Sequence, residues 1–243
     1  TGEGIRTIVY GGGPMYLADI IEAVDVLGNR FCQIYGQGES PMCITQLTRA
    51  QITDRSHPRW KERLQSVGTP QSCVEVRVVD GDGVELEPGQ TGEILVKGAS
   101  VMKGYWNNPS ATENSLRKGW LWTGDIGSFD ADGFLTLKDR SKDMIISGGS
   151  NIYPREVEEK ILQHAGVKEC AIVGVPDEKW GETPCAFVAV KPGQSLDEAD
   201  VIAFCRQNMA TFKAPKTVVF GELPKTSTGK IQKFLLRDRA RAL

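Results

Sequence analysis

Tyr10-Gly11-Gly12-Gly13-Pro14-Met15 places three glycines after an apolar run, where a bare backbone can approach another molecule closely. A tight turn at a strand end is the simpler account of that spacing alone. Tyr35-Gly36-Gln37-Gly38-Glu39 joins a flat aromatic ring to a carboxylate four residues on. The ring could stack on a base or sit in a core. The carboxylate could meet a Mg²⁺ ion that phosphate oxygens also hold, or stay solvated in a loop. Trp122-Thr123-Gly124-Asp125 ends in an acid that could accept from two neighbouring hydroxyls, or could close a turn. Arg140, within Asp139-Arg140-Ser141-Lys142-Asp143, offers a fork of donors suited to ribose or phosphate, with a surface ion pair as the alternative. Pro224-Lys225-Thr226-Ser227-Thr228-Gly229-Lys230 carries a loop lysine. It is not a GxxxxGK[ST] loop, because the preceding glycine is Gly221 and Ile231 follows Lys230. Flat contact, hydroxyl acceptors and phosphate-seeking cations are together what a nucleotide demands.

The elements that must position these groups fall into three textures. Residues 5–10 predict a strand, Leu17, Ile20, Ile21, Val24 and Leu27 mark one face of a helix stopping at Gly28, and 31–35 predict a second strand ending in Gly36. That is a βαβ unit with parallel pairing. Its abrupt start leads us to expect that a larger protein's earlier elements are missing. Apolar runs at 74–79, 93–97 and 134–137 alternate with Asp80-Gly81-Asp82-Gly83, Glu87-Pro88-Gly89 and Asp130-Ala131-Asp132-Gly133, which predicts a small antiparallel β region. The charged stretch 139–143 then separates a compact α+β pattern. It has a helix from Pro154, strands at 171–175 and 185–190 around a loop with Trp180, a helix at 197–208, a strand at 217–220 and a terminal helix from Ile231. The expected domains are therefore 1–139 and 140–243.

Composition narrows the setting. The 243 residues carry 29 basic and 31 acidic side chains, a net charge of −2, so nothing global draws the chain to nucleic acid. The tail from 212 to 243 has a local net of +6, which suits an anion site. A 40 % hydrophobic share supports a core. No run approaches the roughly 18 apolar residues of a membrane span, and the first residues do not read as a signal peptide. Cys32, Cys43, Cys73, Cys170, Cys185 and Cys205 show neither zinc nor disulfide spacing, and His57 and His164 supply little for histidine catalysis. Free thiols in a reducing cytoplasm are expected.

Taken in order, the segments above, with Ser147-Gly148-Gly149-Ser150-Asn151-Ile152-Tyr153-Pro154 and Gly104-Tyr105-Trp106-Asn107-Asn108-Pro109, resemble the adenylate-forming superfamily of acyl- and aryl-CoA synthetases, luciferase and nonribosomal peptide adenylation domains. The resemblance runs from about Tyr10 to Lys233. It implies a truncated large-domain α/β sheet unit plus a small antiparallel β region, then a mobile α+β C-terminal domain. Gly12, Gly13, Pro14, Tyr35, Gly36, Gln37, Gly38, Asp125 and Arg140 would bind ATP or AMP, and Glu39 would bind Mg²⁺. Lys230 would be catalytic, its ammonium offsetting charge that builds at the α-phosphate. Lys142 would be the hinge. Gly148 and Gly149 would line the pantetheine passage of coenzyme A, with Phe212 and Lys213 nearby and Trp180 either beside CoA or in a core.

Two departures stand out. The family usually has Thr where Gly38 stands, so a hydroxyl bond of about 1 kcal/mol to the α-phosphate is absent, to be replaced by Gln37 or a water. It often has a basic residue at Ala214, which leaves CoA phosphates to Lys213 and Lys216. The family's phosphate loop and most of its acyl pocket are expected upstream, so the chain reads as the C-terminal half of a longer synthetase and as inactive alone in adenylation. The implied reaction is acid–thiol ligation of a fatty or other carboxylic acid with ATP and CoA in the cytoplasm. A carrier-protein arm as acceptor and a non-catalytic nucleotide-binding homologue are the alternatives. Neither the acid nor the oligomeric state is legible.

Overall fold

The computed structural model describes residues 2–13, 15–227 and 229–242. It divides into two units, 1–141 and 142–243. In the first, β1 (Ile8–Tyr10), α1 (Leu17–Leu27) and β2 (Phe31–Gln37) form the parallel βαβ unit, with Tyr10 opposite Gln33. β1 starts later than its apolar run because Ile5 N–H turns back to the Gly2 carbonyl and Arg30 Nε takes the Ile5 carbonyl. α1 buries Ile20 and Val24 against Phe31 and stops at Gly28.

β2 does not end in an open loop at Gly36. It continues to Gln37 and returns through Gly38 and Glu39 into antiparallel β3 (Ser40–Leu47). Pro41 and two adjacent buried residues, Ile44 and Thr45, hide β3 from an alternation search. A bulge accompanies the return. Met42 has φ +56°, and a Cβ on Gly36 would lie 2.3 Å from the Met42 nitrogen, so only glycine fits. The chain then runs through α2 (Arg49–Thr53) and α3 (Trp60–Gln65) to β4 (Thr69–Pro70), completing the order β1-β2-β3-β4.

The second sheet is antiparallel. Its elements are β5 (Val74–Val79), β6 (Gly92–Gly98), α4 (Pro109–Ser115), β7 (Leu116–Arg117), β8 (Trp120–Phe129) and β9 (Leu135–Arg140), with β8 bonded to β6, β7 and β9. The sequence pattern missed β8, since Thr123-Gly124-Asp125 reads as a turn. The strand accommodates it as an irregularity. Gly124 takes φ +67°, and the register slips on both sides of the strand. The result sets Asp125 directly opposite Arg140. Ile44, Val78, Ile94, Leu121 and Leu135 close the core here, together with Tyr35.

In the second unit β10 (Ile145–Ser147) and β11 (Ser150–Ile152) form a hairpin around Gly148 and Gly149. α5 (Pro154–Ile161), β12 (Val167–Asp177), β13 (Gly181–Val190), α6 (Glu198–Asn208), β14 (Thr217–Phe220) and α7 (Lys233–Ala240) follow. β14 joins β13 in parallel, and β12 is an edge strand. Cys170, Ile172, Ala186 and Val188 face α5 and α6, while Ala171, Val173, Cys185 and Phe187 face α7. Burial on both faces explains why these strands read as continuous apolar runs. No described helix is long and apolar enough to cross a membrane.

Candidate functional site

In the first unit the candidates converge on Asp125, which is 7 % exposed. Its Oδ2 accepts from the Tyr35 hydroxyl at 2.7 Å and from Gln37 Nε2 at 2.6 Å. Its Oδ1 lies 3.3 Å from Arg140 Nε. Two donors occupy Oδ2, so Oδ1 keeps the acceptor capacity that a vicinal diol needs. The backbone is fixed as well. Thr123 Oγ1 donates to the Ile94 carbonyl and accepts from Asp125 N–H, and Gly124 N–H donates to Glu93.

Tyr35 is 6 % exposed, in the core. Burial, with the Asp125 carboxylate beside it, pushes its hydroxyl well above the usual phenol range, so it stays a donor. The structure thus supports a positioning role for Tyr35 over a free stacking face. Gln37 is equally committed. Its amide nitrogen also donates to the Thr123 carbonyl at 3.0 Å, so its donors are engaged and it does not stand in for the hydroxyl absent at Gly38. Nothing lies within 4 Å of where a Gly38 Cβ would be.

Glu39 is not a free loop acid. The Tyr105 hydroxyl donates to its Oε1, and Met102 N–H to its carbonyl at 2.7 Å. Tyr105 is a partner of this candidate residue that sequence reasoning missed, because no local spacing links it to an acid 66 positions away. One oriented carboxylate fits Mg²⁺ carried by nucleotide phosphates, which takes one or two protein carboxylates and keeps waters. No cluster of three or more His, Cys, Asp or Glu suited to a metal occurs among the described residues. Gly12 and Gly13 are exposed with open space around them, and Gly12 has φ +75°. Pro14 lies outside the described residues.

In the second unit Gly148 and Gly149 form the β10–β11 turn with φ +56° and +80°. A Cβ on Gly148 would meet Trp180 Cε3 at 2.6 Å, and Gly148 N–H donates to the Trp180 carbonyl. Gly148 thus combines a left-handed backbone with close approach of the Trp180 ring, whereas Gly149 faces open space. Trp180 remains 43 % exposed, flanked by the Lys179 and Lys216 ammonium groups. Phe212 is exposed. Lys213 pairs with Glu156 and Lys216 with Asp177, so an incoming anion competes with a carboxylate at each. Lys142 lies in a 3₁₀ turn (Ser141–Asp143), between Arg140, which meets Asp125, and Asp143, which pairs with Arg237. Lys230 is exposed on the loop before α7.

The first unit thus presents a buried carboxylate with one oxygen free to accept and a second carboxylate oriented by Tyr105, and the second unit an exposed loop lysine. The model of the AMP-binding enzyme family matches residues 1–106, and that of the AMP-binding enzyme C-terminal domain matches 156–230. The chain belongs to this adenylate-forming family. It is 41 % identical over 238 residues to a feruloyl-CoA synthase of an Amycolatopsis species, covering 98 % of this chain and 47 % of that protein. It is 49 % identical over 177 residues to a long-chain-fatty-acid–CoA ligase of Escherichia coli, covering 72 % of this chain and 31 % of that protein. The structure of the amide bond synthetase McbA from Marinactinospora thermotolerans superposes with a TM-score of 0.88 at 37 % identity, over 96 % of this chain and 46 % of that one. The chain thus spans about half the length, or less, of the relatives it matches.

Proposed function

We propose that this chain carries the ribose-binding and cation-presenting parts of an AMP-forming acyl- or aryl-CoA synthetase. The observation that carries the reading is the convergence of Tyr35, Gln37 and Arg140 on Asp125. A carboxylate held from three sides, with one oxygen still able to accept, suits the two ribose hydroxyls of an adenylate. Arg140, 3.3 Å from Asp125, would shift to a ribose or phosphate oxygen. Glu39 would hold Mg²⁺ when the nucleotide brings it, and the ion would neutralise phosphate charge. Lys230 would meet the α-phosphate as the substrate carboxylate attacks and pyrophosphate leaves. In the second half-reaction the CoA thiol would reach the acyl-adenylate past Gly148 and Gly149, with Phe212, Lys213 and Lys216 near the CoA nucleotide. The 1–141 and 142–243 units would exchange those two faces by rotation about Lys142, which stands between Arg140, ion-paired within the first unit, and Asp143, ion-paired within the second.

The likeness to an amide bond synthetase favours a second reading, in which an amine replaces CoA as acceptor. The test is AMP release by the full-length protein with a panel of aryl and aliphatic acids, each with CoA and with amines. Release that requires CoA supports the ligase. Release with amines alone supports the second reading, and no AMP from any acid overturns both.

A further inference from the structure

Three lysines lie on the nine residues from 225 to 233, and the structure treats them differently. Lys225 Nζ is 2.6 Å from Glu169 Oε1. Lys233 Nζ is 2.8 Å from Glu158 Oε1, on a side chain only 3 % exposed. Between them Lys230 is exposed, with no acidic partner among the described residues. The segment is closed on itself. Thr226 N–H donates to the Lys230 carbonyl at 2.9 Å, Gln232 N–H to the Pro224 carbonyl at 2.8 Å, and Lys230 N–H to Thr226 Oγ1 at 3.1 Å. Lys225 and Ile231 form an isolated antiparallel bridge.

Both glutamates belong to the framework beneath: Glu158 on α5, Glu169 on β12. Glu158 Oε1 also accepts from the Ile172 N–H of β12 at 2.9 Å. A neutral acceptor would satisfy that amide. Burying a full negative charge is costly, and the matching cation comes from the end of the loop. A cation that must meet one phosphate oxygen needs its loop held to a fraction of an ångström, or the geometry is lost to motion.

We propose that Glu158–Lys233 and Glu169–Lys225 are a two-point anchor that positions Lys230. The four residues are positioning residues. The purpose assigned to them rests on the reading of Lys230 as the adenylation cation.

Hydrogen exchange on the 243-residue chain tests the anchor directly. Lys233→Met should speed exchange of the Thr226, Gly229 and Lys230 amides by about tenfold or more, while the β12 and β13 amides change by less than about twofold. Lys233→Arg should restore the loop. Because a lone buried Glu158 could unfold the unit, the pair Glu158→Gln/Lys233→Met is run beside it and should loosen the loop in the same way. In the full-length enzyme Lys233→Met should lower kcat for pyrophosphate exchange by about tenfold or more with KM for ATP nearly unchanged. Unchanged loop exchange, an equal rise throughout the second unit, or no rescue by arginine would overturn the anchor. Lys230→Ala separates the two claims. If it leaves pyrophosphate exchange intact, the role of Lys230 fails, and with it the purpose of the anchor, even where the loop exchanges as expected.

Discussion

The Asp125 cluster and the Lys230 loop solve opposite problems. Asp125 sits in the middle of a ten-residue strand, 7 % exposed, with its carboxylate held by three side chains. Lys230 is exposed, and what is ion-paired is its neighbourhood, Lys225 and Lys233. An acceptor that waits for a ligand gains by burial, since low dielectric strengthens each hydrogen bond it makes. On the role proposed for Lys230, a cation that enters and leaves cannot be buried in its resting place, because desolvating an ammonium group is costly. Its precision has to come from the frame around it.

That contrast can be broken most sharply at Lys230. Lys230→Ala in the full-length enzyme should slow pyrophosphate exchange about 10²–10³-fold, by analogy with loss of an oxyanion donor. Thioester formation from synthetic acyl-adenylate and CoA should stay near the parent rate. Equal loss in both half-reactions would mean that Lys230 does not come and go.

Asp125→Asn comes next. It removes the charge that Arg140 faces and, on the proposed ribose role, would weaken each bond to the sugar, so AMP affinity measured by calorimetry should fall by about 1.5–3 kcal/mol, the range for hydrogen bonds to charged groups. An unchanged affinity would detach the buried cluster from nucleotide binding.

The proposed hinge sharpens the comparison from the backbone side. Lys142→Pro fixes φ near −65° between the two ion-paired flanks. It should slow thioester formation more than acyl-adenylate formation, and equal slowing with the fold intact would count against rotation there.

Smaller effects separate the two glycines of the β10–β11 turn. Gly148→Ala combines φ +56° with a Cβ 2.6 Å from the Trp180 ring and should cost about 1–3 kcal/mol in thermal or denaturant unfolding. Gly149→Ala meets no atom within 4 Å and should cost only the left-handed backbone, about 1–2 kcal/mol. Equal costs would show that Trp180 yields.

The smallest expected change is a gain. Gly38→Thr enters open space at a position without positive φ. A new hydroxyl bond to phosphate should tighten ATP binding by about 1 kcal/mol, read by calorimetry. Weaker binding would show that the open space at Gly38 is needed by the nucleotide.

Much of this molecule was legible without coordinates. The spacing of Leu17, Ile20, Val24 and Leu27 and the stop at Gly28 predicted α1, and residues 217–220 predicted β14, because local periodicity and caps decide such elements. The ordered motifs identified the family, because nucleotide chemistry restricts which residue types stand at those spacings. What local pattern could not decide was set by partners distant in sequence. β3 and β8 were missed because their residues alternate poorly and take their places from neighbouring strands. The commitment of Gln37 to Asp125, the hold of Tyr105 on Glu39, the close approach of Trp180 to Gly148 and the ion pairs around Lys230 all join residues far apart in the chain, Trp180 and Gly148 being the nearest pair. Residue type declares which bonds a side chain can make. Only the folded chain, by bringing one donor to one acceptor and burying both, determines which of those bonds are made.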